Sequence, residues 1–229
     1  SIKINCFDPE NITSKKALNS GKMRAEAQSV ILERAMKTSS EMHYGRIMPE
    51  TLKEDSSPFF NQNSATTFET ARVLKLQGWN IKREKVVDAI NDYRSISGQR
   101  GRSELIQECE EYGSLLLDCA HNLDGIKGLI NSLEGIKLHI VFGTVSDKDP
   151  SEILALIPQN STMYFCSADI PRSMKVEELL EYGQSLGMNC NGYDSVSEAV
   201  IEARKATHKC EGEQALVCGS VFVVGEAIQ

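Results

Sequence analysis

Several short groups of residues in this chain have the types that chemistry needs. The densest is Asp118-Cys119-Ala120-His121-Asn122, which follows the apolar run Leu115–Leu117 directly. A carboxylate there can accept hydrogen bonds from ribose hydroxyls or from an amine, with an imidazole and an amide close by. The same residues also suit a helix N-cap, since Asp and Asn are favoured caps. Gly143-Thr144-Val145-Ser146-Asp147-Lys148-Asp149 follows the run Leu138–Phe142. It is a glycine-led loop dense in polar groups, or a solvated loop whose Asp149-Pro150 opens the next helix. Ser167 to Ser173, with Pro171 and Arg172, follows Met163–Cys166 and reads as loop plus cap. Cys218-Gly219-Ser220 can bring backbone N–H groups to an anion, or turn tightly into a packed C-terminal helix. Arg100 and Arg102, set among glycines, can clamp a phosphate or form an exposed basic linker.

Other chemistries lack their residues. The histidines at 43, 121, 139 and 208 do not cluster, and no HExxH signature occurs. No G-x-S-x-G elbow is present, and no Gly-Lys-Ser/Thr phosphate loop occurs in these 229 residues. The net charge of -7 argues against a general nucleic-acid binder. The seven cysteines are scattered without a C-x-x-C pair, which argues against a metal site or a disulfide framework and for reduced thiols in the cytoplasm. Cys119, Cys166 and Cys218 sit in apolar runs and read as small buried hydrophobes. No apolar run has the length of a membrane span. The first residue is Ser1, and the chain is expected to be a piece of a longer one.

These candidates need elements to hold them. Residues 103–229 alternate short apolar runs with amphipathic stretches. The runs are Leu115–Leu117, Leu138–Phe142, Met163–Cys166 and Ala215–Val217. The amphipathic stretches are Leu123–Leu133, Ser151–Leu156, Val176–Leu186, Ser195–Ala206 and Val221–Ile228. That order predicts an α/β domain, Rossmann-like, with a mostly parallel sheet and helices on both faces. Ligands in such sheets bind beyond the carboxyl ends of the strands, where the polar groups above fall. Upstream, Ile2–Phe7 reads as a strand, Ala25–Met36 as a helix, and the stretch near Tyr44–Ile47 as a short strand. Thr66–Gln77 and Lys82–Tyr93 read as further helices, with Gly78 as a stop between them. The Gly-rich, basic stretch Ser97–Arg102 marks a boundary between residues 1–97 and 101–229.

Taken together and in order, these segments resemble the folylpolyglutamate synthase / dihydrofolate synthase family of Mur-ligase-like enzymes. The resemblance rests on Asp118-Cys-Ala-His121-Asn122, on Val141-Phe142-Gly143 with Asp147-Lys148-Asp149, and on Gly219-Ser220 with Val224-Gly225-Glu226. Asn63-Ser-Ala-Thr66 matches a helix start, Gly101-Arg102 precedes the first C-terminal strand, and Glu26–Ala35 is similar to a helix late in the family's ATPase domain. Ser103 stands where the family usually carries a larger residue, and the interval from Arg102 to Asp118 is long, so Arg100 competes with Arg102 for that role.

The resemblance implies that residues 1–97 are the mainly helical end of a central ATP-binding domain and that 101–229 form the C-terminal domain. It implies an ATP-dependent ligase that adds L-glutamate to a folate, or to dihydropteroate, through an acyl phosphate. Asn63, Arg102, Asp118 and His121 would contact the nucleotide; Asp147, Lys148, Asp149 and Ser220 would face substrate. ATP and Mg²⁺ would be required, with most of their ligands outside these residues, and the intact protein would be a monomer. The alternative expectation is a non-catalytic homologue that keeps a nucleotide or partner surface. A phospho-acceptor receiver, which Asp118 at a strand end also suggests, would need an acidic pair and a late Lys that are not evident.

Overall fold

Apolar runs separated by amphipathic stretches can bury their side chains only by stacking helices on a sheet, and residues 99–229 do so. The computed structural model describes residues 16–19, 25–45, 52 and 59–229. The described residues fall into two compact units, the first ending at Gly98 and the second beginning at Gln99.

In the first unit, β1 (Lys16–Asn19) pairs in parallel with β2 (Glu41–Tyr44), and α1 (Ala25–Lys37) lies between them in sequence. The reading of Ile2–Phe7 falls outside the described residues. Helix α2 spans Phe60–Leu76 and α3 spans Arg83–Asn91; a short α4 follows at Tyr93–Ser97. Helix α2 starts six residues before the expected Thr66, so Asn63 sits in its first turn. The threonines explain this: Thr66, Thr67 and Thr70 each return a hydroxyl hydrogen bond to the carbonyl four residues earlier. Polar residues that look like a loop are thereby accommodated in a helix. Ser64, Ala65 and Thr66 are buried and Asn63 is exposed.

The second unit is an α/β domain with a six-stranded sheet. Its elements are β3 (Glu104–Ile106), β4 (Leu115–Leu117), α5 (Leu123–Ser132), β5 (Lys137–Phe142), α6 (Ser151–Leu154), β6 (Thr162–Phe165), α7 (Val176–Ser185), β7 (Asn189–Gly192), α8 (Val196–Thr207), β8 (Glu213–Cys218) and α9 (Val221–Ala227). The strand order is β3-β4-β8-β5-β6-β7. All pairs are parallel except β3 with β4. Alternation along each strand sends side chains to two cores. Leu138, Ile140, Phe142, Met163 and Phe165 meet α5, α6 and α7 through Ile126, Leu129, Ile153, Leu154 and Leu179. Leu115, Leu117, Val141, Ala215 and Val217 meet α8 and α9 through Val196, Ala199, Ala203, Val223 and Val224. Two helices cover one face and three the other, as right-handed crossovers require when the chain moves outward to β7 and returns to β8.

Capping fixes the helix starts. Asn122 accepts from the Gly125 N–H at 2.8 Å to begin α5, and Ser195 accepts from the Glu198 N–H at 3.1 Å to begin α8. Away from the strand ends that follow, a polar chain crosses the amino end of the sheet. His139 bridges Tyr164 Oη at 2.9 Å and Glu213 Oε2 at 2.7 Å, and Lys137 holds the other Glu213 oxygen at 3.1 Å. These partners keep the Glu213 carboxyl below its ordinary range, while burial pushes the Tyr164 phenol up to about 12. That phenol stays protonated, so the triad is a structural tie rather than a nucleophile. Among the described residues, no helix is long and apolar enough to cross a membrane.

Candidate functional site

Strand order decides where a site can form. The chain leaves β4 toward α5 on one face and leaves β8 toward α9 on the other. Adjacent parallel strands whose exits diverge open a crevice at their carboxyl ends. That rule points to the position between Asp118, after β4, and Gly219-Ser220, after β8. The two strand ends are joined directly: Asp118 N–H donates to Val217 O at 3.0 Å, and Gly219 N–H donates to Ala120 O at 2.8 Å.

Asp118 is buried, and its carboxylate is largely committed. Oδ2 accepts from the Ser103 N–H at 2.9 Å and from Ser103 Oγ at 3.1 Å; Oδ1 accepts from the Ala120 N–H at 2.8 Å. An ionised carboxylate has about four acceptor positions, so about one remains for a ligand. Ser103 has φ +46, a left-handed conformation costly for a residue with a Cβ. Its two bonds to Asp118 offset that cost. The departure at Ser103 therefore has a physical reason: the side chain is small, hydroxylated and buried because it binds Asp118.

Arg100 and Arg102 stand on either side of Gly101 at this turn. Arg100 spends its Nε on Glu104. Arg102 is exposed between Gly101 and Ser103, and its charge acts on Cys119, directly after Asp118. Burial nevertheless pushes the Cys119 thiol up, with Arg102 opposing and Asp118 adding to the shift. Gly101 has φ +67, and a Cβ there would lie 2.6 Å from the Val224 side chain. Its carbonyl accepts from the Cys119 N–H at 2.8 Å, fastening the Arg102 turn to the end of β4.

His121 is half-buried. Its Nδ1 lies 2.9 Å from the Cys119 carbonyl, which only accepts, so Nδ1 carries the proton. That leaves Nε2 as the ring atom presented to a ligand, an acceptor when neutral and a donor when charged. Asn122 is a cap. Ser220 is buried and caps α9, accepting from the Phe222 N–H at 3.2 Å.

The loop after β5 divides the remaining candidates. Asp147 and Lys148 are exposed on a turn closed by Lys148 N–H to Val145 O at 3.2 Å. Asp149 instead accepts from both the Ser151 N–H and the Ser151 hydroxyl, which hold its carboxyl below the ordinary range. It is the side chain that opens α6. Asn63 lies on α2 in the other unit.

Arg172 falls in the segment that reads as loop plus cap, and not among the site residues expected from the sequence. Its guanidinium stands 5.4 Å over the Phe222 ring, on the loop after β6. An isolated Arg in a polar loop carries no pattern; the exposed aromatic one residue into a C-terminal helix was the available signal. A separate cavity of about 390 Å³ opens at the ends of β6 and β7, lined by Ser167, Lys175, Val176, Glu177, Leu180, Gly192, Tyr193 and Asp194. Of the candidate segments singled out in the sequence it includes only Ser167, from the Ser167–Ser173 loop. Burial pushes the Cys166 thiol up to about 12 and the Cys218 thiol up as well, so neither is a nucleophile at neutral pH. Among the described residues, no group of three or more His, Cys, Asp or Glu is placed to hold a metal ion.

The family profile described as "Mur ligase, glutamate ligase domain" matches residues 101–221. A probable bifunctional folylpolyglutamate synthase/dihydropteroate synthase of Haloferax volcanii is 30% identical over 118 residues, covering 50% of this chain and 14% of that protein. Folylpolyglutamate synthase of Mycobacterium tuberculosis, solved with ADP and AMPPCP, superposes with a TM-score of 0.72 at 17% identity over 95% of this chain and 55% of that one. Bifunctional folylpolyglutamate synthase/dihydrofolate synthase of Yersinia pestis, solved with AMPPNP and Mn, gives 0.69 at 20% identity over 93% of this chain and 52% of that one. At such identities these two likenesses speak for the fold. The chain spans about half the length of these solved relatives.

Proposed function

We infer, for a chain that belongs to the Mur ligase, glutamate ligase domain family, that it forms part of an ATP-dependent ligase joining L-glutamate to a folate. The observation that supports this reading is the turn at the β4–β8 junction, where Asp118 keeps about one acceptor position after binding Ser103 and Ala120, with Arg102 and His121 close to it in sequence. The residue types fit an adenine nucleotide. Asp118 accepts from a ribose hydroxyl, and Arg102 offers a permanent, bidentate cation to phosphate. ATP supplies the phosphoryl group that activates the acceptor carboxylate, and Mg²⁺ supplies charge neutralisation at its phosphates. Asn63 is a nucleotide contact in this reading by its motif alone.

The amino-acid substrate falls to the next strand ends. L-Glutamate brings an amine and carboxylates. Arg172 is a stacked cation suited to a carboxylate; Asp147 and Lys148, exposed on the β5 loop, are suited to the opposite charges. Ser220 acts chiefly by capping α9, and Asp149 by binding Ser151 at the start of α6.

The reading is tested with ATP, Mg²⁺, a folate and labelled L-glutamate. The intact protein that carries these residues is expected to form the folate–glutamate amide and ADP. Residues 1–229 by themselves, which contain no Gly-Lys-Ser/Thr loop, are expected to form none. Product from the isolated residues, or nucleotide binding without product from the intact protein, would contradict the proposal; the second result would favour the non-catalytic homologue.

A further inference from the structure

Helix α9 grips the loop that follows β6 at two points. Glu226 Oε1 accepts from the Asp169 N–H at 2.7 Å. Phe222, four residues earlier and therefore on the same helix face, carries the Arg172 guanidinium 5.4 Å above its ring. Phe222 is 36% exposed.

The loop between these points is tightly tied. Arg172 O accepts from the Ser146 N–H at 2.9 Å, Met174 N–H donates to Thr144 O at 2.9 Å, and Ser173 Oγ donates to Ala168 O at 2.7 Å. The backbone under Arg172 is thus fixed from three sides. Among the described residues, Arg172 makes no salt bridge. A guanidinium held over a ring, without a carboxylate of its own, is pre-organised to receive one.

We propose that Glu226 is a positioning residue. Its carboxylate oxygen holds the Asp169 amide so that Arg172 stays stacked on Phe222, oriented to take a carboxylate of the amino-acid substrate. The identity of that carboxylate rests on the ligase reading above; the positioning does not.

The experiment follows Arg172 by NMR, its Nε–Hε signal identified by loss in Arg172→Lys. Without ligand, the Arg172 side-chain protons are expected to be shifted upfield by the Phe222 ring. Glu226→Ala and Phe222→Leu are expected to abolish that shift, and Glu226→Gln, which keeps an acceptor oxygen, to retain it. In titrations with L-glutamate, Glu226→Ala is expected to weaken binding about tenfold and Glu226→Gln by no more than about threefold. An unchanged Arg172 spectrum in folded Glu226→Ala, or a Glu226→Gln protein as impaired as Glu226→Ala, overturns the proposal. If Glu226→Ala does not fold, Glu226→Gln decides: loss of the ring shift in it overturns the proposal and retention supports it. A wild-type ring shift without any L-glutamate binding supports the positioning and counts against the ligase reading of Arg172.

Discussion

Asp118→Ala is expected to lower the free energy of unfolding by about 3–5 kcal/mol, measured by urea denaturation followed by circular dichroism. The size follows from what the carboxylate holds. Its removal leaves the Ser103 N–H, the Ser103 hydroxyl and the Ala120 N–H without their acceptor. Each buried orphan costs about 1–3 kcal/mol, reduced where the turn relaxes toward water. Ser103 also loses the bonds that offset its left-handed backbone. Asp118→Asn is expected to cost less, about 1–2 kcal/mol, because one amide oxygen still accepts while the NH₂ group faces donors. A loss below about 1 kcal/mol for Asp118→Ala would mean that the carboxylate does not anchor the turn. Because Arg102 sits on that turn, nucleotide affinity is expected to fall in both variants.

Gly219→Ala is expected to cost about 2–4 kcal/mol. Gly219 has φ +95, and an added Cβ would lie 2.6 Å from the Phe142 ring and 2.7 Å from Gly143 O. Phe142 is fully buried and packs edge-on against Phe165 at 6.3 Å, so it has no room to retreat. The N–H of Gly219 must stay on Ala120 O, which prevents relief by a peptide rotation. Gly212→Ala supplies the comparison. Its φ is +76 and nothing lies within 4 Å of the added Cβ, so only backbone strain of about 1 kcal/mol applies. Equal losses in the two variants, read from thermal unfolding, would remove the steric argument. A larger loss at Gly219 locates the tight approach between the ends of β8 and β5.

Legibility in the sequence followed burial. Strands β4, β5, β6 and β8 were readable because their side chains fill two cores and their sequences are apolar runs. Strands β3 and β7 were not. They are the two edges of the sheet; Glu104-Leu-Ile106 is only partly buried and Asn189-Cys-Asn-Gly192 is mostly exposed. Backbone pairing with one neighbour makes them strands, and composition does not record that. Helix α2 was found with its start six residues late, since threonine hydroxyls that bond back to the helix resemble loop residues.

The site divides the same way. Asp118 and Ser220 stand out as candidates because they follow apolar runs, and Arg102 because it follows a glycine. Their bonds were not visible: Asp118 to Ser103 spans fifteen residues and Glu226 to Asp169 spans fifty-seven. A carboxylate named as a ligand candidate proves to be first an anchor, with about one acceptor position left over.

The most direct test is an amide-NMR titration of the labelled chain with AMPPNP and Mg²⁺. The perturbed amides are expected to be those of Gly101 to Ser103, Cys119 to Asn122 and Gly219, around the β4–β8 junction. Saturating shifts confined to the cavity at the ends of β6 and β7, or no shifts at millimolar nucleotide, would contradict the assignment of that junction as the nucleotide wall.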